Sequence, residues 1–297
     1  SRKPIEDLRM TTETIGFIGI GNMGGPVSQN LSTAGYHVVG YDIAGTAERV
    51  PEGATVGRNA SDVATKSDII MMSLPDGDVV QEVTNEIIAT NDRRAKTIVD
   101  ISTSGVAAAR AASARCCDSE MEFYDAPVSG GIPGAKAGTI SIMFSGPEEA
   151  FERLKPVLES IGKPFMVGTE PGQGQAMKIV NNFLSATSMI ATSEAFVLGE
   201  AVGLDLELMV NVLNASSGRN DATVTKFPKS IIPKTYDRGF TAKLMQKDID
   251  LYRAAQDDAG TQSRVSKEIV EGFREFYNVD PGADITRIYP FVKENKV

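Results

Sequence analysis

Tryptophan is absent, histidine occurs once, and the only two cysteines are neighbours. Each scarcity removes a class of chemistry. With His37 alone, no mechanism that needs a histidine pair can operate, and no Cys/His metal site can be assembled. Cys116 and Cys117 could close only a strained ring, so no structural disulfide is expected. That thiol usage fits a reducing, cytoplasmic setting. Positive charge is also in deficit: 30 Lys and Arg stand against 39 Asp and Glu, giving −9 and a pI near 4.9. Such a balance speaks against nucleic acid as the main partner. No apolar run approaches the length of about 18 residues that a bilayer span requires, so no membrane partner is expected. Residues 1–12 are charged, lack the apolar stretch of a secretory signal, and read as a leader or expression remnant.

What is present is globular: 297 residues, 41% apolar and 23% charged, enough for two domains. The first half alternates short β-rich runs with helical stretches. The runs are Thr14–Ile20, His37–Asp42, Asp68–Leu74, Lys96–Ser102, Phe123–Val128, Thr139–Phe144 and Pro164–Val167. Several are almost wholly apolar, as parallel strands covered on both faces must be. The expected fold class is therefore α/β, a Rossmann-type doubly wound sheet over 13–173. The pattern then changes. Residues 174–203 carry Ile179, Phe183, Ala186, Ile190 and Phe196 at helical spacing, which predicts one long interdomain helix of roughly 40 Å. Residues 204–297 hold only helical segments (206–214, about 241–258 and about 263–277), so the C-terminal domain is expected to be all-α, for substrate contact and oligomerisation.

Directly after the first run stands Gly19-Ile20-Gly21-Asn22-Met23-Gly24, opening a helix that carries Val27 and Leu31. The first glycine permits a tight turn, the second lets backbone approach a pyrophosphate, and the third lets helix and strand pack closely. The helix N-terminus offers unpaired N–H groups to phosphate. Asp42 follows Gly24 by 18 positions at the end of the second run, where a carboxylate holds a ribose diol. Strand, glycines and acid in register predict a dinucleotide site. Asp42 would repel a 2′-phosphate, and no arginine occupies 43–48 to bind one, so NAD is the expected cofactor. Leu74 and Pro75 end the third run, and Ser102 and Thr103 the fourth; these edges would line the cofactor.

His37 begins a strand, whereas ligands in such sheets bind beyond strand C-termini, so histidine acid–base chemistry is disfavoured. The Tyr289/Lys293 pair lies in the tail beside Pro290 and reads as chance. What remains is GQGQAMKIVNNF, where Lys178 shares a helix face with Asn181 and Asn182. A lysine near the start of a buried helix gives up its proton more readily than a solvated one, which suits proton transfer. Ser129, Gly130 and Gly131, in DAPVSGG, supply a hydroxyl and backbone N–H groups for a carboxylate. Lys247, beside Asp248 on a later helix, could reach the cofactor or make a plain charge pair.

Together these segments resemble the β-hydroxyacid dehydrogenase family, whose members include 3-hydroxyisobutyrate dehydrogenases and tartronate semialdehyde reductases. The likeness runs from Thr14 through FIGIGNMGGPVSQNL, SLPD, DISTS, DAPVSGGIPGAKAGTISIMFSG, GQGQAMKIVNNF and LMQKDIDL. It implies that Lys178 is the catalytic lysine and Asn182 a substrate-binding asparagine. It also implies that Ser129–Gly131 hold the substrate carboxylate, and that Thr103, Lys247, Leu74 and Pro75 contact cofactor. Val27 departs from the family's usual methionine, at a packing position. The likeness covers roughly Thr14 to the end, although the tail after Asp280 offers no motif of use.

The resulting expectation is an enzyme: an NAD-dependent oxidoreductase acting on a small anionic β-hydroxy acid or its semialdehyde, with no metal, as a homodimer or homotetramer. Arg219 and Asn220, in the loop Ala215–Thr223, are expected to contact the distal end of the substrate, since arginine's planar fork suits an oxyanion. Ile132 and Phe240 are apolar alternatives. The rival readings are an imine or keto-acid reductase and a non-catalytic dinucleotide-binding protein, because fold alone does not fix function.

Overall fold

The computed structural model describes residues 13–261 and 263–295; the expected leader, 1–12, lies outside them. The chain divides into two compact units, one ending at Lys178 and the other starting at Ile179. The division falls inside the long helix, not at either of its ends.

In the first unit, strands β1 (Thr14–Ile18), β2 (His37–Tyr41), β3 (Thr55–Val56), β4 (Ile69–Met72), β5 (Thr97–Asp100) and β6 (Glu122–Asp125) form a parallel sheet in the order β3-β2-β1-β4-β5-β6. All four residues of β4 and of β5 are buried. Alternation sends Ile15, Phe17 and Met71 to one face and Ile18, Ile70 and Met72 to the other. On the second face pack Val80 and Ile87 of helix α3 (Gly77–Ile88) and Ala109, Ala112 and Cys116 of α4 (Val106–Asp118). The first face takes Val27 and Leu31 of helix α1 (Gly24–Thr33). Helix α2 (Ala60–Lys66) starts on the Asn59 side chain, and α3 on that of Asp76.

The expected seven-stranded arrangement needs correction. β3 is only two residues long and leaves no periodic signal. The run Phe123–Val128 breaks at Ala126-Pro127, because proline has no N–H for the ladder. Its second part, β7 (Val128–Ser129), pairs antiparallel with β8 (Ile140–Ser145), which pairs with β9 (Gly162–Gly168) in a separate three-stranded sheet. Helix α5 (Gly131–Ala137) joins β7 to β8, and α6 (Glu148–Glu159) joins β8 to β9. Both cysteines are free thiols, Cys116 buried and Cys117 exposed.

Helix α7 (Gln173–Ala201) is the predicted long helix. The second unit adds α8 (Leu206–Asn214), α9 (Ala242–Ala259), α10 (Arg264–Val279) and α11 (Ile288–Asn295). Asp205 and Thr241 cap α8 and α9 by accepting from Leu208 N and Leu244 N. Its core is aliphatic and methionine-rich around an aromatic group: Phe196 and Phe227 meet edge-on at 4.6 Å, and Phe227 meets Tyr289 at 5.1 Å. Two expectations change here. The end of the loop read at 215–223 opens a π-helix, Ala222–Ile231, a rare form that recurs at functional sites. The Tyr289/Lys293 pair, read as a chance catalytic spacing, gains a structural role: both side chains sit on α11 and donate to the Glu200 carboxylate, at 2.5 and 2.7 Å. Pro290 is tolerated because it lies in the helix's first turn. Among the described residues no helix is long and apolar enough to cross a membrane.

Candidate active site

The C-terminal ends of β1, β2, β4 and β5 bring the predicted cofactor residues of the first unit to one edge of the sheet; Lys247 stands on α9 of the second. Gly19 has φ +90°, and a Cβ there would stand 2.2 Å from the Ser73 carbonyl oxygen. Gly24 is closed in: a Cβ would lie 1.9 Å from the Gly19 oxygen and 2.9 Å from the Phe17 ring. Around Gly21, by contrast, nothing stands within 4 Å of a Cβ. Tight packing at the outer glycines with open space at the middle one is the shape a pyrophosphate cradle needs, so the residues present fit a dinucleotide. Helix α1 begins there with no side-chain cap and no acidic residue in its first turn; Gly25 N is taken by the Gly21 carbonyl at 2.8 Å and Pro26 has no N–H, so what the turn offers an anion is chiefly the positive end of the helix dipole.

Asp42 ties this turn together. Its carboxylate accepts from Ile20 N at 2.7 Å and from Ala44 N at 2.8 Å. Two backbone donors leave lone pairs for ribose hydroxyls. Arg49 Nε, one position beyond the arginine-free stretch 43–48, stands 4.0 Å from the same carboxylate. Leu74 is half-buried and Pro75 exposed, after β4; Leu74 N donates to the Ser102 hydroxyl at 2.8 Å. Thr103 follows, half-buried, after β5. His37 lies at the opposite end of β2, exposed, with Nε2 3.0 Å from the Thr55 hydroxyl.

Two buried carboxylates end β5 and β6. Asp100, fully buried, accepts from Ser102 N at 2.9 Å and the Ser104 hydroxyl at 2.7 Å. Burial pushes its pKa up to about 6, against those hydrogen bonds and helped by the charge on Asp125. Asp125 accepts from the Ser145 hydroxyl at 2.6 Å and Gly172 N at 2.8 Å on one oxygen, and from Gln175 N at 2.8 Å on the other. Burial raises its pKa too, opposed by these donors. The Gln175 side chain accepts from Ser104 N and Gly105 N and donates to the Ser102 carbonyl. The first turn of α7 is thereby bound to the ends of β5 and β6, and Lys178, 8% exposed, stands three residues on. Gly130 and Gly131 have φ +137° and +62°, which lets the chain turn sharply after β7; both are exposed and Ser129 is half-buried, so this turn is open to a ligand.

In the second unit Asn182, buried one turn beyond Lys178 on α7, donates to Asp248 at 2.5 Å and accepts from Asn181 at 2.9 Å. Lys247 Nζ lies 3.2 Å from the other Asp248 oxygen. Asp248 thus links the two residues predicted on either side of it. The distal-substrate residues fare differently. Arg219 is exposed. Asn220 is committed to its loop: Oδ1 accepts from Ala222 N and Thr223 N, and Nδ2 donates to the Thr192 hydroxyl and the Gly218 carbonyl. Its amide has no donor left for a substrate, which corrects the expectation for Asn220. Phe240 packs on the second unit's core, and Ile132 is half-buried on α5. Asp100, Gln175 and Asp248 escaped prediction as site residues. The position of Asp248 beside Lys247 was one signal; Asp100 bonds only to Ser102 and Ser104 close by, a pattern with no catalytic signature, and the partners of Gln175 are distant in sequence.

The comparisons with known proteins agree with this geometry. The profile described as the NAD binding domain of 6-phosphogluconate dehydrogenase matches residues 14–177. That described as the NAD-binding of NADP-dependent 3-hydroxyisobutyrate dehydrogenase matches residues 172–292. The 2-(hydroxymethyl)glutarate dehydrogenase of Eubacterium barkeri is 36% identical, covering 88% of this chain and 89% of that one. The NAD-dependent L-serine dehydrogenase of Pseudomonas aeruginosa is 34% identical, over 83% and 87%. Among solved structures, 3-hydroxyisobutyrate dehydrogenase of Mycobacterium tuberculosis with L-serine superposes with a TM-score of 0.89 at 32% identity, covering 95% of this chain and 99% of that one. With the glycine turn, the DAPVSGG turn and the lysine helix in the order and geometry described, the chain belongs to the β-hydroxyacid dehydrogenase family.

Proposed function

We propose that the protein oxidises the hydroxymethyl group of a small 2-substituted 3-hydroxy acid to the semialdehyde, and reduces it in reverse. The observation that carries this is Lys178: a lysine 8% exposed, on a helix start bound to the strand ends that follow the nucleotide turn. The acids named for the relatives share one skeleton, a primary alcohol two carbons from a carboxylate, and differ in the group on C2. The Ser129 hydroxyl and the Gly130 and Gly131 N–H groups bind the shared carboxylate. Asn182, held by Asp248, orients the alcohol. Lys178 accepts the hydroxyl proton as the carbon–hydrogen pair leaves as hydride, and returns it in reduction. When bound, the nicotinamide ring supplies the hydride acceptor. Gly19–Gly24, Leu74, Pro75, Thr103 and Lys247 hold the dinucleotide, and Asp42 makes NAD preferred to NADP.

Arg219 is the residue we assign to an anionic C2 substituent, supported by its exposure on the loop before the π-helix. Exposed Leu184 and Leu198 on α7, with Val202 directly after it, support a homodimer or homotetramer, checked by light scattering. Free Cys116 and Cys117 support a reducing compartment such as the cytoplasm. The deciding assay is NADH formation with 3-hydroxyisobutyrate, L-serine and 2-(hydroxymethyl)glutarate. Lys178→Ala should lose at least about 10²-fold in kcat while NAD binding by fluorescence is kept. Turnover near wild type would remove the lysine from the mechanism.

A further inference from the structure

Lys178 is only as well aimed as the turn that carries it, and that turn has an unusual anchor. Gly172 N and Gln175 N are among the first donors of α7, which have no partner inside the helix. Each reaches a different oxygen of the same buried carboxylate, Asp125. A carboxylate at a helix N-terminus also answers the positive end of the helix dipole. Gly172 has φ +88°, which the approach requires. A Cβ at Gly174 would stand 2.3 Å from the Met143 carbonyl oxygen and 2.8 Å from an Asp125 carboxylate oxygen, so the helix comes in as close as glycine allows. From the other side the Gln175 side chain takes two N–H groups and one carbonyl of the segment after β5. The GQGQ sequence is thus a latch: two glycines for approach, and one glutamine joined to β6 by its backbone and to the β5 end by its side chain.

We propose that Asp125 and Gln175 are positioning residues that set where Lys178 stands for proton transfer. The role rests on the reading of Lys178 as the proton acceptor. Asparagine cannot replace Asp125: backbone N–H groups meet both of its oxygens, so an NH₂ group must face one of them. Asp100 differs, because its second oxygen meets a hydroxyl, which can turn and accept.

The test measures kcat, KM and NAD affinity for Asp125→Asn, Gln175→Met and Ser145→Ala beside Lys178→Ala, using NAD with the three acids above. Displacing a reacting group by about 1 Å can cost about 10²-fold. Asp125→Asn should therefore lose at least about tenfold in kcat, and Gln175→Met several-fold, with KM and the NAD dissociation constant within about twofold of wild type. Ser145→Ala removes one bond to the same carboxylate but leaves both helix donors in place, so its kcat should stay within about twofold. The proposal is overturned if either latch variant folds and keeps wild-type kcat, or if kcat and NAD affinity fall together. It is also overturned if Ser145→Ala loses as much as Asp125→Asn, or if neither latch variant folds, since the cluster is then a folding element only. Full activity in Lys178→Ala would instead overturn the reading of the lysine, whatever the latch variants do.

Discussion

Alanine at Gly21 and alanine at Gly24 should separate cofactor binding from folding within one turn. At Gly24 the new Cβ lies 1.9 Å from the Gly19 backbone oxygen and 2.9 Å from the ring of Phe17, which is fully buried in the first unit's core. Neither neighbour is a flexible side-chain end, so α1 must move outward by about 1 Å. Overpacking of this kind costs about 1–3 kcal/mol, which lowers Tm by several degrees in a domain of this size. At Gly21 the Cβ meets nothing within 4 Å, and Gly21 is not among the residues of positive φ. Alanine there should leave stability unchanged or raise it by about 0.4–1 kcal/mol through the unfolded chain. The methyl group instead fills the space that a pyrophosphate would enter. NAD affinity should then fall at least about tenfold, or about 1.4 kcal/mol. Thermal unfolding and NADH fluorescence titration give the two readouts. Gly21→Ala binding NAD like wild type would refute the assigned path of the pyrophosphate. Gly21→Ala melting as low as Gly24→Ala would refute the claim that the space is empty of protein.

Two further outcomes are expected. Asp42→Ser removes the carboxylate that repels a 2′-phosphate, so the NAD-to-NADP ratio of kcat/KM should narrow by at least about tenfold; because Ile20 N and Ala44 N lose their acceptor, NAD affinity should fall as well. An unchanged ratio would transfer the discrimination to another residue, with Arg49 the first to test. Asp100→Asn addresses pH: complete burial raises the native carboxyl from its ordinary 3.8 to about 6, so the folded protein binds this proton more tightly than the unfolded chain does. Its charge therefore costs stability above pH 6, and the cost fades as pH falls below 6 toward 3.8. The displacement is worth about 3 kcal/mol. Asp100→Asn should be the more stable protein in urea at pH 8, with the gap about halved at pH 5 and nearly closed at pH 3.8; a gap independent of pH would show that Asp100 carries no such cost.

The architecture was readable because it is written in local chemistry. Near-continuous apolar runs such as IIMM must lie in a sheet covered on both faces, and the change to helical spacing after Gly172 marks where the sheet ends. The positions of the glycine turn, Asp42 and Lys178 were likewise legible, because each depends on residue type at a fixed distance along one strand–turn–helix unit or one helix face; the roles proposed for them await the assays above. What only the tertiary structure decided depends on contacts between residues far apart in the chain. Pro127 splits one apolar run between two sheets, and the choice of partner for each piece is a matter of pairing, not of composition. The π-helix at Ala222–Ile231 has no sequence period that distinguishes it from an ordinary helix with a proline. Asn220, which looks free on paper, spends its amide on backbone and Thr192, while Tyr289 and Lys293, 89 and 93 residues from Glu200, converge on its carboxylate. Asp125 and Gln175 stand 50 positions apart and carry no motif as a pair. A hydrogen bond acts only within about 3 Å, so the residues it joins are chosen by how the chain folds back on itself, and a periodic reading of the sequence has no access to that choice.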